Sequence, residues 1–251
     1  MIRFILVALA VILFLFFSTG VRMWLNKVGE TDPDKKNRKS LHIVQRVFRM
    51  ILRITGTKVT VRGAENIPTD RAVLFVGNHR SYFDILVGYT TVPGLMGFVA
   101  KKEMEKIPGL SGWMRLVNCL FLDRTNPKEG LKTILAGIQQ VKNGISVWIF
   151  PEGTRNRGEV LELLPFKEGS LKIAEKSGCY VIPVAMTGTA EIFEKQMPRM
   201  KKSHVIVEYG KPINLKELEP EQRKFAGAYV RSVILSMLEA QMKERAEKTD
   251  K

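Results

Sequence analysis

A histidine and an aspartate, His79 and Asp84, lie five residues apart in the stretch NHRSYFD, residues 78–84. On one α-helix the two side chains would point about 140° apart, so they can meet only if His79 sits in a turn before the helix that carries Asp84. Asp84 could then bind one imidazole nitrogen and leave the other as a base, as in the His–Asp half of a catalytic triad. The spacing alone fits a structural hydrogen bond or a helix cap equally well.

A second candidate stretch is FPEGTR, residues 150–155, which follows an apolar run. Gly153 would let the backbone approach a ligand closely, and Arg155 offers a planar fork suited to phosphate. Glu152 could bind a substrate hydroxyl or hold Arg155 in place. An ordinary surface turn is the alternative when this stretch is taken alone.

Further cations follow other apolar runs. They are Lys101, Lys102 and Arg124, with Lys167 in the stretch FKEGS. Two or three such cations could hold a phosphate, although any one of them could be an ordinary surface residue, and Asp123 could pair with Arg124. The sequence contains no P-loop, GxGxxG or GxSxG motif, which argues against nucleotide binding by those routes and against a serine hydrolase.

Apolar runs that indicate strands alternate with segments of helical periodicity. Strands are predicted at 57–62, 72–77, 96–100, 118–122, 145–150, 180–184 and 204–208, and helices at 82–91, 109–117, 127–142, 167–177 and 220–245. This alternation predicts an α/β domain with a largely parallel or mixed sheet flanked by helices. Ligands of such sheets bind at the carboxyl ends of the strands, so NHRSYFD, Asp123-Arg124 and FPEGTR are expected at one edge, in one site.

The N-terminal segment 1–27 is predicted to be a membrane anchor. Residues 4–21 include 18 without charge, at the short end of a membrane-spanning helix. Basic residues follow, which predicts that the rest of the chain stays on the cytoplasmic side of the cell membrane. A cleaved signal peptide and a shallow interfacial segment are the alternatives.

Residues 28–40 are predicted to form a polar linker, 41–56 a basic amphipathic helix, 57–245 the main domain and 246–251 a frayed tail. The amphipathic helix could lie on an anionic membrane or pack on the core with its arginines in water. Residues 1–60 hold 11 lysines and arginines against 3 acidic residues, a large part of the net charge of +15. This concentration beside an apolar terminus favours a membrane surface and argues against nucleic acid.

The two cysteines, Cys119 and Cys179, fall in apolar runs that indicate strands. They are interpreted as core residues, because no CxxC or Cys/His cluster predicts a metal site or a disulfide framework. His42 and His204 have no partner pattern and are assigned no role.

Four ordered stretches resemble the sequence blocks of glycerolipid acyltransferases, in particular the 1-acylglycerol-3-phosphate acyltransferase family. NHRSYFD matches the His-x4-Asp block, CLFLDR the second block, although Cys119 stands near where glycine is common, and FPEGTR the third. VIPVAMTG, residues 181–188, matches the fourth block through Pro183. The blocks cover residues 75–190.

The resemblance implies transfer of an acyl group from coenzyme A or acyl carrier protein to the 2-hydroxyl of lysophosphatidic acid. His79 would be the base and Asp84 would orient it, with no metal or bound cofactor. Membrane lipids would be partners and nucleic acid would not. Substrate contacts are expected from Asn78, Arg80, Lys101, Arg124, Glu152, Gly153, Thr154 and Arg155. Another lysophospholipid or glycerol 3-phosphate could be the acceptor, and a non-catalytic membrane-binding protein of the same fold is a further alternative.

Overall fold

The computed structural model describes residues 1–249 of the chain. Its centre is a seven-stranded sheet with the order β1-β7-β6-β2-β5-β3-β4. The strands are β1 (Lys58–Arg62), β2 (Leu74–Gly77), β3 (Met96–Lys101), β4 (Leu120–Leu122), β5 (Ser146–Ile149), β6 (Val181–Thr187) and β7 (His204–Tyr209). The helices are α1 (Ile2–Phe17), α2 (Thr19–Thr31), α3 (Pro33–Thr55), α4 (Phe83–Thr91), α5 (Leu110–Leu116), α6 (Pro127–Lys142), α7 (Lys172–Ser177), α8 (Pro220–Lys224) and α9 (Ala226–Thr249).

The sheet is mixed, and helices flank it, as the sequence predicts. Neighbouring strands run parallel except β6 and β7, which pair antiparallel. The strands β2, β3, β4, β5 and β6 therefore run in one direction and end at one edge. This shared edge brings the sequence stretches that follow these strands together.

Helices cover both faces of the sheet, so the central strands β2, β5 and β6 are buried at every position and mostly apolar. In β2, Phe75 contributes to the cluster beneath α1, α3 and α4, whereas Leu74 and Val76 contribute to the cluster beneath α6, α7 and α9. Trp148 on β5 packs on Phe75 with ring centroids 5.2 Å apart. Burial on two faces explains why the strands appear in the sequence as continuous apolar runs rather than alternating ones.

The predicted linker 28–40 is helical instead, and that prediction was wrong. α2 continues to Thr31, and α3 begins at Pro33 after a break at Asp32. The Asp32 side chain caps α3 by accepting from the backbone N–H of Lys35 at 2.9 Å, and proline is well suited to the first helical position. Ser40 and Leu41 are buried, so packing stabilises this polar stretch as a helix.

The predicted amphipathic helix 41–56 forms most of α3. Its apolar face is covered by the protein, because Val44, Ile51 and Leu52 are buried in the core. Arg46 and Arg49 lie on the exposed face. The geometry therefore agrees with packing on the core, and only the basic face remains free to contact an anionic surface.

The N-terminal apolar segment forms α1 and the start of α2. Among the described helices, none alone combines the length and composition needed to cross a bilayer. α1 and α2 satisfy both criteria as a pair, although the chain bends by 52° between them. Many apolar side chains of α1 are exposed, among them Ile5, Leu9, Ile12, Phe16 and Phe17.

The C-terminal region differs from the prediction in two places. The predicted helix 220–245 is divided into α8 and α9 at Phe225. α9 extends to Thr249 because its last turns consist of good helix formers, so residues 246–249 of the predicted tail are helical. Residues 250 and 251 of that tail lie outside the described residues.

Both cysteines are free and partly buried. Each precedes a strand rather than lying within it, since β4 begins at Leu120 and β6 at Val181. The Sγ of Cys119 lies 3.2 Å from the hydroxyl of Tyr89, and Cys179 packs against the cluster beneath α9. These contacts agree with a structural role.

Candidate active site

The turn between β2 and α4 carries His79. α4 begins at Phe83, so His79 lies in the turn and Asp84 in the first turn of the helix, as the spacing predicts. The Nδ1 of His79 is 2.8 Å from Oδ2 of Asp84. That oxygen also accepts from the backbone N–H groups of Arg80 and Ser81, each at 2.8 Å.

The carboxylate of Asp84 is buried, with 1% of its side chain exposed. Three donors converge on one of its oxygens, which fixes the position of the carboxylate. With Nδ1 of His79 donating to this oxygen, the neutral ring carries its lone pair on Nε2. Within the described part of the chain, nothing hydrogen-bonds to Nε2, and the ring lines the main cavity. The geometry is that of an oriented general base.

The imidazole ring is held from its face as well. It stacks on Phe150 with ring centroids 4.1 Å apart and planes inclined by 9°. Phe150 is the first residue of FPEGTR, so this stretch and NHRSYFD meet directly at the base. The expectation that they share one sheet edge is confirmed.

Glu152 supports the backbone of His79. Its carboxylate accepts from the N–H of His79 at 2.9 Å and from the N–H of Leu164 at 3.0 Å. Burial raises the pKa of Glu152 above its ordinary value, and these two donors counteract part of that rise. The side chain is buried and does not line the cavity, so both predicted roles, binding a substrate hydroxyl and holding Arg155, differ from what the structure shows.

Asn78 and Arg80 also position the turn. The Asn78 side chain makes two hydrogen bonds to the backbone of Met186 on β6, at 2.8 and 2.9 Å. Arg80 turns inward and donates to the carbonyls of Gly158 and Glu159 at 2.6 and 3.0 Å. Both side chains are buried and neither lines the cavity, so their predicted substrate contacts have no support in the geometry.

Arg155 reaches the same turn from FPEGTR. One nitrogen lies 3.2 Å from the carboxylate of Glu194, and another donates to the Tyr82 hydroxyl at 3.1 Å. Its guanidinium lies 3.8 Å from the centroid of the Tyr82 ring. The sequence analysis assigned no role to Tyr82 or Glu194. Tyr82 lies inside the NHRSYFD stretch, whereas nothing in the sequence around Glu194 marks it.

Several other predicted cations line the cavity near His79, namely Lys101, Arg124 and Lys167. Arg124 donates to the carbonyl of Gly153, whose φ of 73° suits glycine in this tight turn. Thr154 lines the cavity as well. These cations thus share one cavity with His79. Lys101 ends β3 and Arg124 follows β4, whereas Lys167 lies just before the short turn Glu168–Leu171 and not at a strand end.

Two residues considered for the site in the sequence, Lys102 and Asp123, make other contacts. Lys102 pairs with Glu105 at 3.2 Å and does not line the cavity. Asp123 does not pair with Arg124. Its carboxylate accepts from the backbone N–H groups of Thr125 and Asn126, at 2.9 and 3.1 Å, and so fixes the turn before α6. A hydrogen bond from the Thr125 side chain lowers the pKa of Asp123 most, and the two backbone donors lower it further.

The cavity beside His79 has a volume of about 380 Å³ and is mainly apolar. Its apolar lining includes Val11 and Phe14 of α1, Val47 and Phe48 of α3, and Trp113 and Met114 of α5. The same cavity is therefore lined by His79, by the cations and by α1, whose outer face is exposed and apolar. No group of three or more His, Cys, Asp or Glu side chains in residues 1–249 is arranged to bind a metal ion.

The fold and site define a class of protein: an α/β protein in which a histidine held by a buried aspartate lines a mainly apolar cavity together with several cations. The family model described as Acyltransferase matches residues 58–187, from the start of β1 to the end of β6. The chain therefore belongs to the acyltransferase family and is an O-acyltransferase, which confirms the resemblance in the four sequence blocks.

Curated relatives share this assignment. The 1-acyl-sn-glycerol-3-phosphate acyltransferase of Saccharomyces cerevisiae is 31% identical over 183 residues, which are 72% of this chain and 60% of the yeast protein. The chain thus spans less than two thirds of that relative. The enzyme of the same name from Borreliella burgdorferi is 28% identical over 202 residues, 80% of each protein.

A solved structure has the same architecture. The 1-acyl-sn-glycerophosphate acyltransferase PlsC from Thermotoga maritima is 27% identical, with a TM-score of 0.80 over 96% of this chain and 95% of that one. The similarity includes the N-terminal helices, because so little of either chain is left uncovered.

Proposed function

We propose that this enzyme transfers a fatty acyl group from an acyl thioester to the 2-hydroxyl of 1-acylglycerol 3-phosphate, which yields phosphatidic acid. The observation that carries the proposal is that His79 lines one cavity together with apolar side chains and several cations. The cations suit a phosphate and the cavity suits an acyl chain. The yeast and Borreliella burgdorferi relatives are named for this acceptor.

The proposed reaction uses His79 as base and then as acid. Nε2 takes the proton of the acceptor hydroxyl while the oxygen attacks the thioester carbonyl carbon. The tetrahedral intermediate then expels the thiolate, which takes the proton from the imidazolium. The Asp84 carboxylate stabilises the imidazolium, since its buried oxygen is 2.8 Å from Nδ1.

The phosphate of the acceptor is assigned to Arg155, with Arg124, Lys101 and Lys167 nearby. A guanidinium fork can make two parallel hydrogen bonds to phosphate oxygens, and lysines add positive charge without fixing direction. Thr154 lines the same part of the cavity and offers a hydroxyl. A phosphate held here would place the glycerol hydroxyl beside His79.

The thioester donor supplies the leaving group and no resident cofactor is required, because a thioester is already activated toward attack. Coenzyme A and acyl carrier protein are both compatible carriers. We assign the acyl chain to the apolar cavity. Burial of each methylene contributes about 0.8 kcal/mol, so an apolar cavity of about 380 Å³ favours binding of an acyl chain.

We assign the enzyme to the cytoplasmic face of the cell membrane. α1 has 16 residues and is therefore about 24 Å long, shorter than the roughly 30 Å hydrocarbon core. Its outer face is exposed and apolar, and the chain bends by 52° after it. These features favour a segment that enters one side of the bilayer over one that crosses it. Both acyl substrates could then reach the cavity from the lipid phase.

The test is an acyl-transfer assay with the full chain in phospholipid vesicles. Lysophosphatidic acid is supplied with labelled acyl-CoA and, separately, with acyl carrier protein thioester. Labelled phosphatidic acid from either donor supports the proposal and identifies the carrier. Glycerol 3-phosphate and lysophosphatidylcholine are supplied in parallel, and acylation of either in preference to lysophosphatidic acid would contradict the proposed acceptor.

A further inference from the structure

Glu194 lies in a short turn, Glu194–Gln196, in the connection between β6 and β7. Glu194 lies outside every sequence stretch that was predicted to contribute to the active site. Its carboxylate is largely buried, with 15% of the side chain exposed. One oxygen accepts from the Ser81 hydroxyl at 2.6 Å, and the other accepts from the backbone N–H of Tyr82 at 2.8 Å.

The same carboxylate holds Arg155, at 3.2 Å from one guanidinium nitrogen. The Tyr82 ring lies against the guanidinium plane, and its hydroxyl accepts from the other terminal nitrogen. Glu194 and Tyr82 thus fix both the position and the plane of the fork. A long arginine side chain would otherwise sample several rotamers, and ordering it on binding costs free energy.

The segment that carries Glu194 is itself fixed. The ring of the preceding residue, Phe193, stacks on Phe4 of α1 with centroids 5.7 Å apart. The backbone N–H of Lys195 donates to the carbonyl of Ala190 at 3.0 Å. The carboxylate therefore projects from a supported turn, which makes it a suitable anchor for a second side chain.

We propose that Glu194 is a positioning residue that sets Arg155 in place to receive the acceptor phosphate. The inference rests on the proposed role of Arg155 in the function above. Both carboxylate oxygens are engaged by the N-terminal turn of α4 at distances shorter than the contact with Arg155. Glu194 therefore stays in place when phosphate binds, and the remaining N–H donors of Arg155 receive the phosphate.

This arrangement also connects the cation with the base. Ser81 and Tyr82 lie between His79 and Asp84, and the N–H of Ser81 donates to the catalytic carboxylate. One carboxylate, that of Glu194, thus holds both the turn that orients His79 and the fork assigned to the phosphate. The distance from the bound phosphate to the base would then be set by a short chain of hydrogen bonds.

The test is a double-mutant cycle on the acceptor KM, with Glu194→Gln, Arg155→Ala and the double variant in the full-length chain. Glutamine has the shape of glutamate but lacks the charge. We expect Glu194→Gln alone to raise the acceptor KM about tenfold, as for loss of one charged hydrogen bond, with an unchanged donor KM. In the Arg155→Ala background, the same substitution is expected to leave the acceptor KM unchanged.

Two outcomes overturn the inference in distinguishable ways. Suppose that Arg155→Ala raises the acceptor KM and that the double variant raises it by the product of the two single effects. Glu194 then does not act through Arg155, while the phosphate assignment stands. If Arg155→Ala leaves the acceptor KM unchanged, the phosphate assignment fails and the role of Glu194 fails with it. An acceptor KM that falls in Glu194→Gln would also contradict positioning, because it would mean that the carboxylate competes with phosphate.

A matched control is available on the same segment. Among the described residues, the Glu191 carboxylate pairs only with the exposed Lys195, at 3.0 Å. Glu191→Gln should therefore leave every kinetic constant unchanged. Circular dichroism establishes that the variants fold. If Glu194→Gln does not fold, Glu194→Asp replaces it: the charge remains but the shorter side chain withdraws from Arg155. A smaller rise in acceptor KM, again absent without Arg155, is then expected, and an unchanged KM would overturn the inference.

Discussion

The Nδ1 atom of His79 and the Oδ2 atom of Asp84 lie 2.8 Å apart, although the two residues belong to different local structures. His79 is in the turn after β2, and Asp84 is in the first turn of α4. The same aspartate oxygen accepts from two backbone N–H groups of the turn. One atom therefore both stabilises the turn and orients the His79 imidazole.

The role of Arg155 predicts a specific kinetic defect. Arg155→Ala should raise the acceptor KM by about 10- to 100-fold, the effect of losing hydrogen bonds to a charged group, with little change in the donor KM. Arg155→Lys keeps the charge but loses the fork, so a smaller rise is expected. Arg157 is exposed two residues away, and Arg157→Ala is the control. An unchanged acceptor KM in Arg155→Ala would contradict the phosphate assignment.

The raised pKa of Glu152 predicts how stability depends on pH. Because burial raises the pKa above its ordinary 4.5, the folded state binds the proton more tightly than the unfolded state. The free energy of unfolding that Glu152 contributes must then fall as pH rises through and above 4.5. Glutamine does not titrate. The unfolding free energy of the wild type minus that of Glu152→Gln should therefore decrease with rising pH.

Urea unfolding of wild type and Glu152→Gln at a series of pH values measures this difference. Glu159→Gln, a substitution at an exposed position, serves as the control. A difference that increases with pH in this range would mean that the two N–H donors outweigh burial, and would reverse the sign of the assignment.

The acyl assignment of the cavity predicts a change in chain-length preference. Val11 of α1 belongs to the apolar lining of the cavity, so Val11→Trp should reduce the space assigned to the acyl chain. Transfer of long acyl chains should slow by at least about tenfold relative to short ones. Ile12, the next residue, is 63% exposed and outside the cavity, and Ile12→Trp is the matched control. Equal slowing for all chain lengths would count against this assignment.

The exposed face of α1 predicts how the enzyme binds membranes. Replacing Ile5 and Ile12 together with aspartate should weaken vesicle binding by about 100-fold or more, since each buried isoleucine contributes about 1.5–3 kcal/mol. The control replaces two exposed leucines on α6, Leu131 and Leu135, which are similarly apolar and lie on another surface. Cosedimentation with vesicles measures both variants. Equal loss of binding in the two would show that α1 is not a specific contact.

Much of the site could be predicted because its chemistry follows strand ends. The alternation of apolar runs and helical segments predicted the shared sheet edge, and that edge brings His79, Arg124 and Arg155 together. The spacing of five residues between His79 and Asp84 required a turn, and the structure contains it. These inferences depend on local periodicity, which a single sequence displays directly.

The supporting contacts could not be predicted, because they depend on long-range packing. The direction of Asn78, Arg80 and Glu152 is decided by backbone groups far along the chain, such as those of Met186 and Leu164. Glu194 has no local signal, since its partners are more than 35 residues away; the nearest, Arg155, is separated from it by 39. The polar stretch 28–40 did contain a helix signal in Asp32-Pro33, a capping residue followed by proline, but its low apolar content indicated a linker.

The most direct test of the central claim is the rate of phosphatidic acid formation by His79→Ala in phospholipid vesicles. The claim is that His79 moves the proton of the acceptor hydroxyl, so the variant should lose about 100- to 10,000-fold in kcat, the contribution of a general base. Vesicle binding should stay at the wild-type level, because His79 lines the cavity and is not one of the exposed apolar residues of α1. A variant that forms phosphatidic acid at the wild-type rate would show that His79 is not the base.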